Sequence, residues 1–234
     1  MDSARVALLR QVLSSTPWVD RTRDFARALR SSTRSEHGLL LVGTPDDEPW
    51  HLAAHIDDES RFAGIPELSP VLVRHRVPDG APAHLSIGLD RLEYARAGET
   101  LFVVAPSSAP EALLDRVDDA RGRGATIMSM HSGDADLTTL AHESLILPPQ
   151  GLMPSSASWS TALASIDDVS ARTALDVDVT SVTVSFDVLE HLVSTAVGET
   201  AIVAPARTHS SRRAFRDRLG RLLDSISGSA HADT

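Results

Sequence analysis

Five short apolar runs recur between positions 39 and 147, each set off from the next by helical or turn patterning, and this rhythm constrains the fold more than any other feature. Leu39-Leu40-Leu41-Val42, Val71-Leu72-Val73, Leu101-Phe102-Val103-Val104, Thr126-Ile127-Met128-Ser129-Met130 and Ser144 to Leu147 read as strands. Runs that stay apolar at successive positions must be buried on both faces, the condition of a parallel sheet covered by helices. Helical spacing lies between them. A helix over 48–62 would turn Trp50, Ala53, Ala54 and Ile56 inward. A second spans 89–97 and ends at Gly98. A third over 110–123 carries Leu113, Leu114 and Val117 inward and stops at Gly124, and a short one covers 137–142. Strand and helix alternating with short connections predict an α/β fold: a three-layer, doubly wound five-stranded parallel sheet with right-handed crossovers.

Further helices are expected on either side. Val6, Leu9, Val12 and Leu13 recur at helical spacing before Pro17. A second N-terminal helix, capped by Asp20, would place Phe25, Ala28 and Leu29 on one face. Together, residues 1–35 form N-terminal helices expected to pack on the domain or on a partner subunit. After Pro148-Pro149, residues 150–178 read as a loop with one short helix. Residues 180–197 read as a long helix bearing Val184, Val188, Leu189, Leu192 and Val193. Gly198-Glu199-Thr200 echoes Gly98-Glu99-Thr100, which points equally to a sixth strand over 201–204 or to coincidence. The α/β domain is therefore placed at 36–200, a basic C-terminal helix at 201–226 and a disordered tail at 227–234.

Composition excludes several function classes. The sequence has no cysteine, which removes disulfides, thiolate metal sites and a Cys nucleophile. Its net charge of −10 disfavours binding nucleic acid through phosphate contacts. Arg207, Arg212, Arg213, Arg216, Arg218 and Arg221 make the C-terminal segment locally basic, and a solvated helix face is the ordinary reading of such a run. Asp2, Arg5 and Arg10 break up the N-terminal apolar stretch, so no signal peptide is expected. No run reaches the ~20 apolar residues of a membrane span. The expected location is the cytoplasm, without a membrane or nucleic-acid partner. No Gly-rich dinucleotide fingerprint or P-loop follows any strand.

The stretch from Gly98 to Pro148 resembles the second half of a sugar isomerase (SIS) domain, in particular the phosphoheptose isomerase branch. Gly98-Glu99 opens it, Ser107-Ser108 sit in the loop after the third strand, Ala120-Arg121-Gly122-Arg123-Gly124 ends the helix, and Glu143 to Pro148 closes it. The first half agrees in outline, with Gly43 after the first strand, His51-Leu52-Ala53-Ala54-His55 in the next helix and Arg61-Phe62 after it. The resemblance covers about residues 35–195. It implies a phosphosugar site built from a turn after the first strand, here Gly43 and Thr44, and a Ser-rich loop at a helix start, here Ser107 and Ser108, where orphan N–H groups and hydroxyls capture an anion. It also implies a homo-oligomer, dimer or tetramer.

The departures from that pattern are chemical. The first turn reads Thr44-Pro45-Asp46-Asp47-Glu48-Pro49, in which prolines remove N–H donors and three carboxylates repel phosphate. Ser107 and Ser108 can hold an anion or serve as an ordinary helix cap. His51 and His55 are four apart and share a helix face, a spacing that can chelate a divalent ion. Some family members hold zinc with a His and a Glu on this helix and a Gln and a His on the last. By that resemblance His51, His55 and His191 are the metal-ligand candidates, and His55 and His191 the proton-transfer candidates, with His55 in place of the Glu. Three unrelated histidines are the plain alternative. His131, Ser132 and Asp134 are too close in sequence to make a nucleophile triad. The expectation is an SIS-like domain that binds a sugar phosphate or related anion without isomerase activity, as a regulator or scaffold, and without a cofactor. The alternatives are a divergent, metal-dependent (zinc, for example) phosphosugar isomerase and a structural homo-oligomer without a ligand.

Overall fold

A computed structural model describes residues 18–147 and 186–198. The expected N-terminal helix before Pro17, the loop over 150–178, the sixth strand and the C-terminal helix and tail lie outside those residues. All five expected strands are present: β1 (Leu39–Val42), β2 (Pro70–Val73), β3 (Thr100–Ala105), β4 (Thr126–His131) and β5 (Glu143–Ile146). They pair in parallel in the order β2-β1-β3-β4-β5. The described helices are α1 (Trp18–Ser32), α2 (Trp50–Ala63), α3 (Glu111–Gly122), α4 (Ala135–Leu140) and α5 (Phe186–Gly198).

Alternation along each strand divides the interior into two layers. Leu39, Leu41, Phe102, Val104, Met128 and Met130 face Phe25 and Leu29 of α1, Leu52 and Ile56 of α2, and Leu189 and Val193 of α5. Leu40, Val42, Leu101, Val103 and Ile127 face Leu113, Val117 and Ala120 of α3 and Leu137 of α4. Helices thus cover both faces of the sheet, the SIS-like three-layer arrangement. Helix α1 belongs to the first layer. Its Arg30 guanidinium donates to the carbonyls of Ala196 (2.7 Å) and Val197 (3.0 Å), closing the C-terminal end of α5 where carbonyls lack helical partners.

Four local expectations are corrected. Helix α1 begins at Trp18, so Asp20 lies inside its first turn rather than capping it. Helix α2 buries Leu52, Ala53, Ile56 and Ser60, while Trp50 is 57% exposed and Ala54 is exposed. Leu52 and Ile56 stand on the same 3.6-residue stripe as Ser60, and Trp50 falls outside it. The expected helix over 89–97 is a 3-10 helix at Leu89–Tyr94. The amide of Arg96 donates to the buried Glu99 carboxylate (3.0 Å), which also pairs with Arg91, so the chain leaves the helix there. Finally, Pro110 rather than either serine precedes α3, with no side-chain cap.

Both sheet edges are short. Strands β2 and β5 have four residues each, and β2 opens with Pro70. The amide of Arg74, just past β2, donates to the carbonyl of Ile87 (2.9 Å), so residues near 87–88 lie against that edge.

Candidate functional site

The strand order turns back on itself between β1 and β3, and in open α/β sheets a crevice forms outside the carboxyl ends at such a switch point. Gly43 and Thr44 follow β1, residues 106–110 follow β3, and residues 132–134 follow β4. The topology therefore brings Gly43, Thr44, Ser107 and Ser108 to one edge of the sheet.

The first of these turns is closed by the chain itself. The Thr44 amide donates to the Asp47 carbonyl (3.1 Å) and the Asp47 amide to the Thr44 carbonyl (3.2 Å). A Cβ at Gly43 would stand 2.0 Å from the Asp47 carbonyl oxygen and 2.6 Å from the Pro49 ring. The glycine is needed for the protein's own turn to pack there. The His75 ring nitrogen Nε2 bonds the Gly43 carbonyl (2.8 Å), and Arg74 engages one Glu48 oxygen through Nε (2.9 Å) and Nη2 (2.7 Å). Of the turn's three carboxylates, Glu48 is thus paired, whereas Asp46 and Asp47 are exposed. The Thr44 hydroxyl is buried without a hydrogen-bond partner among the described residues.

The second loop borders a cavity of ≈ 170 Å³, lined by Pro106, Ser107, Ser108, Ser132, Gly133 and Asp134. Ser107 and Ser108 are exposed and their hydroxyls have no partner among the described residues. Asp134 caps α4: its Oδ1 accepts the amides of Asp136 (3.0 Å) and Leu137 (2.9 Å), and its Oδ2 accepts the Ala109 amide (2.9 Å) at the approach to α3. Burial raises the Asp134 pKa, but the three N–H donors and nearby His131 outweigh it and the net shift is downward. Buried His131 accepts the amides of Gly133 (3.1 Å) and Asp134 (2.9 Å) on Nδ1, leaving its proton on Nε2, near the Thr138 hydroxyl (3.4 Å). Burial lowers its pKa against the opposing Asp134 charge. Both ring nitrogens are engaged away from Ser132, so these residues form no nucleophile triad.

Helices α2 and α5 bring His55 and His191 into edge-to-face contact, ring centroids 4.8 Å apart. His51 is exposed and stacks on Trp50 at 3.4 Å between centroids. Among the described residues no group of three or more His, Cys, Asp or Glu side chains is placed to hold a metal ion. Burial, then His55 and His51 against an opposing Asp187, lowers His191 to about 4, and its Nδ1 is buried without a partner among the described residues. His55 is also lowered, by burial and by His51 against Asp58.

Sequence reasoning missed Glu190. Burial, then Asp187 and Asp47, raises its pKa to about 7, so its carboxyl lies within electrostatic reach of the β1–α2 turn. The only signal was a carboxylate between two residues of the buried stripe, Leu189 and Leu192.

The signs of the Glu190 and His191 shifts oppose each other. Glu190 holds its proton to a higher pH in the folded state than its ordinary 4.5, so its stabilisation is complete below ~4.5 and fades as pH rises through about 7. His191 takes up its proton more readily when unfolded, so its contribution grows as pH rises from about 4 to its ordinary 6.5. Glu190→Gln is expected to make the thermal midpoint climb more steeply between pH 4.5 and 6.5 than in the unaltered protein. Melts at half-unit intervals read this directly, and parallel curves would contradict the assignment.

No protein-family model and no curated protein sequence matches the chain. Solved structures resemble it in fold. A protein from Salmonella typhimurium LT2 named for sugar binding is 12% identical with a TM-score of 0.51, over 97% of this chain and 56% of that one. A Silicibacter pomeroyi DSS-3 protein named as a phosphosugar isomerase is 11% identical (TM-score 0.46; 97% and 56%). The Vibrio vulnificus NanR protein complexed with ManNAc-6P is 12% identical (TM-score 0.43; 98% and 69%). This chain spans little more than half the length of the first two. At such identities the likeness concerns the SIS-like fold alone.

Proposed function

We propose that this chain is an SIS-like domain that binds a sugar derivative in the switch-point crevice and acts as a regulator or scaffold, without aldose–ketose isomerase activity. The observation that carries the reading is the cavity between the β3 and β4 loops, where the Ser107 and Ser108 hydroxyls stand without a partner among the described residues, beside the Asp134 carboxylate. Lack of turnover is supported by two features. The turn after β1 has folded onto Gly43, where the family admits a sugar, and His191 is too weak a base to take a substrate proton efficiently near neutrality. The resemblance suggests a phosphorylated ligand, so phosphates belong in the first screen beside their unphosphorylated parents.

A thermal-shift screen of hexoses, heptoses, amino sugars and their phosphates, confirmed by calorimetry, tests the proposal. One ligand class should stabilise the protein, and Ser107→Ala should weaken its binding about tenfold. A flat screen would leave the scaffold alone.

The isomerase reading is favoured by one observation, the Glu190 carboxyl with a pKa near 7, suited to exchanging protons at physiological pH. The phosphoheptose branch supports it as well, since its proton-transfer groups lie on the helices that carry His55 and His191. Turnover of any aldose or ketose phosphate, lost in both Glu190→Gln and His55→Ala, would establish it. Metal analysis of untagged protein would separate a zinc-assisted version from a metal-free one. A homo-oligomer, dimer or tetramer, belongs to either reading and is supported by the exposed side chains of Trp50 and Phe62 on α2. Sedimentation velocity decides it.

A further inference from the structure

We infer that Asp134 occupies the anion seat of this crevice from within, so that the cavity selects the hydroxyl or ammonium groups of a neutral or amino sugar and rejects phosphate. The inference rests on the sugar-binding reading above and names its ligand class.

Capturing a phosphate in a loop requires free N–H donors converging on one point. Of the residues that line this cavity, only Ser107 and Ser108 keep a backbone N–H without an acceptor among the described residues; the other N–H donors are absent or already spent. Pro106 and Pro110 carry none. The Ala109 amide donates to Asp134 Oδ2 (2.9 Å). The Ser132 amide donates to the Ala105 carbonyl (3.3 Å), and the Gly133 and Asp134 amides to His131 Nδ1. Among the described residues no Lys or Arg lines the cavity. A phosphate would therefore meet a carboxylate where a donor is wanted, and the low Asp134 pKa keeps that carboxylate charged at neutral pH.

The same geometry suits a donor-bearing ligand. A carboxylate oxygen has two lone-pair directions; Oδ1 uses both on Asp136 and Leu137, whereas Oδ2 uses one on Ala109. The remaining direction can accept an O–H or N–H. The hydroxyls of Ser107 and Ser108 can donate or accept beside it. The volume, ≈ 170 Å³, is below the ~300 Å³ of pockets for drug-sized ligands, which fits a small sugar or one end of a larger one.

The test is calorimetric titration of the full chain with inorganic phosphate, glucose, glucosamine and glucose 6-phosphate, repeated with Asp134→Asn. Asparagine keeps a helix-capping oxygen but lacks the charge. Asp134→Ser, also a good cap, is the replacement if the amide variant melts early. The expected result is no phosphate binding by the unaltered protein, measurable glucosamine or glucose binding, and at least a tenfold gain in phosphate affinity in Asp134→Asn with loss of the amino-sugar preference. If the unaltered protein binds phosphate or glucose 6-phosphate through Ser107 and Asp134→Asn binds it no better, the inference is overturned and the sugar-binding reading survives. If no sugar binds yet Asp134→Asn gains phosphate affinity, the internal anion is upheld and the sugar-binding reading falls. If nothing binds either protein, both fall.

Discussion

Gly43→Ala should destabilise the protein by ~3 kcal/mol, the upper end of what overpacking costs in a well-filled interior. The new Cβ would lie 2.0 Å from the Asp47 carbonyl oxygen, and backbone cannot swing aside as a flexible side chain can. Relief requires opening the Thr44–Asp47 pair of hydrogen bonds, with the Arg74–Glu48 contact adjacent. The thermal midpoint should fall by roughly 6–12 °C, taking ~2–4 °C per kcal/mol for a domain of this size. A midpoint within 2 °C of the parent would show that the turn is not packed as described. Because the turn sits at the switch point, ligand affinity should fall in the same variant even at temperatures where it stays folded.

Phe102→Ala is expected to cost about 3–5 kcal/mol, the range for emptying a large aromatic site in a core that relaxes only partly. Phe102 is wholly buried in the central strand β3 and meets Phe25 of α1 with ring centroids 5.3 Å apart, tilted by 55°. The loss therefore reaches both the sheet and the helix laid over it. Urea unfolding should show a lower midpoint with a similar slope, the mark of changed stability rather than a changed unfolded state. A loss below ~1 kcal/mol would mean that α1 does not depend on this contact.

The sheet was legible because its signal is local. Leu39–Val42 and Leu101–Val104 are apolar on both faces, and their shortness and the alternation with helical segments point to covered parallel strands. Helix α3 was legible within a few residues for the same reason, because Leu113, Leu114 and Val117 form an apolar stripe that runs to Gly124, and α4 was placed within two residues. Where several weak preferences competed, the reading slipped. Trp50 was assigned inward because it is large and apolar, yet its angular position on α2 sends it to solvent. Residues 89–97 have helical composition, but Glu99 captures the Arg96 amide from the far side of a turn, an interaction that no periodicity encodes.

The chemistry of the candidate site was not legible. Gly43, Thr44, Ser107 and Ser108 came from the family resemblance, and the strand order of the structure brings them to one edge of the sheet. That Asp134 reaches Ala109, or that Glu190 feels the charge of Asp47, depends on which loop ends face each other across the sheet, and only the packed structure decides this. The contact between His55 and His191 was suggested through resemblance; the spacing of either residue alone carries no such information.

The short sheet edges bear on how this protein meets other copies of itself. A long open edge strand is a template for a neighbour's backbone, and it invites sheet-to-sheet fusion. Here β2 begins with a proline and has residues near 87–88 laid against it, while β5 offers four residues opening on the exposed Glu143. Among the described residues, then, association by continuing the sheet is discouraged at both ends. Subunits that join should do so helix against helix, and crowding the protein in solution should yield discrete assemblies in preference to fibres.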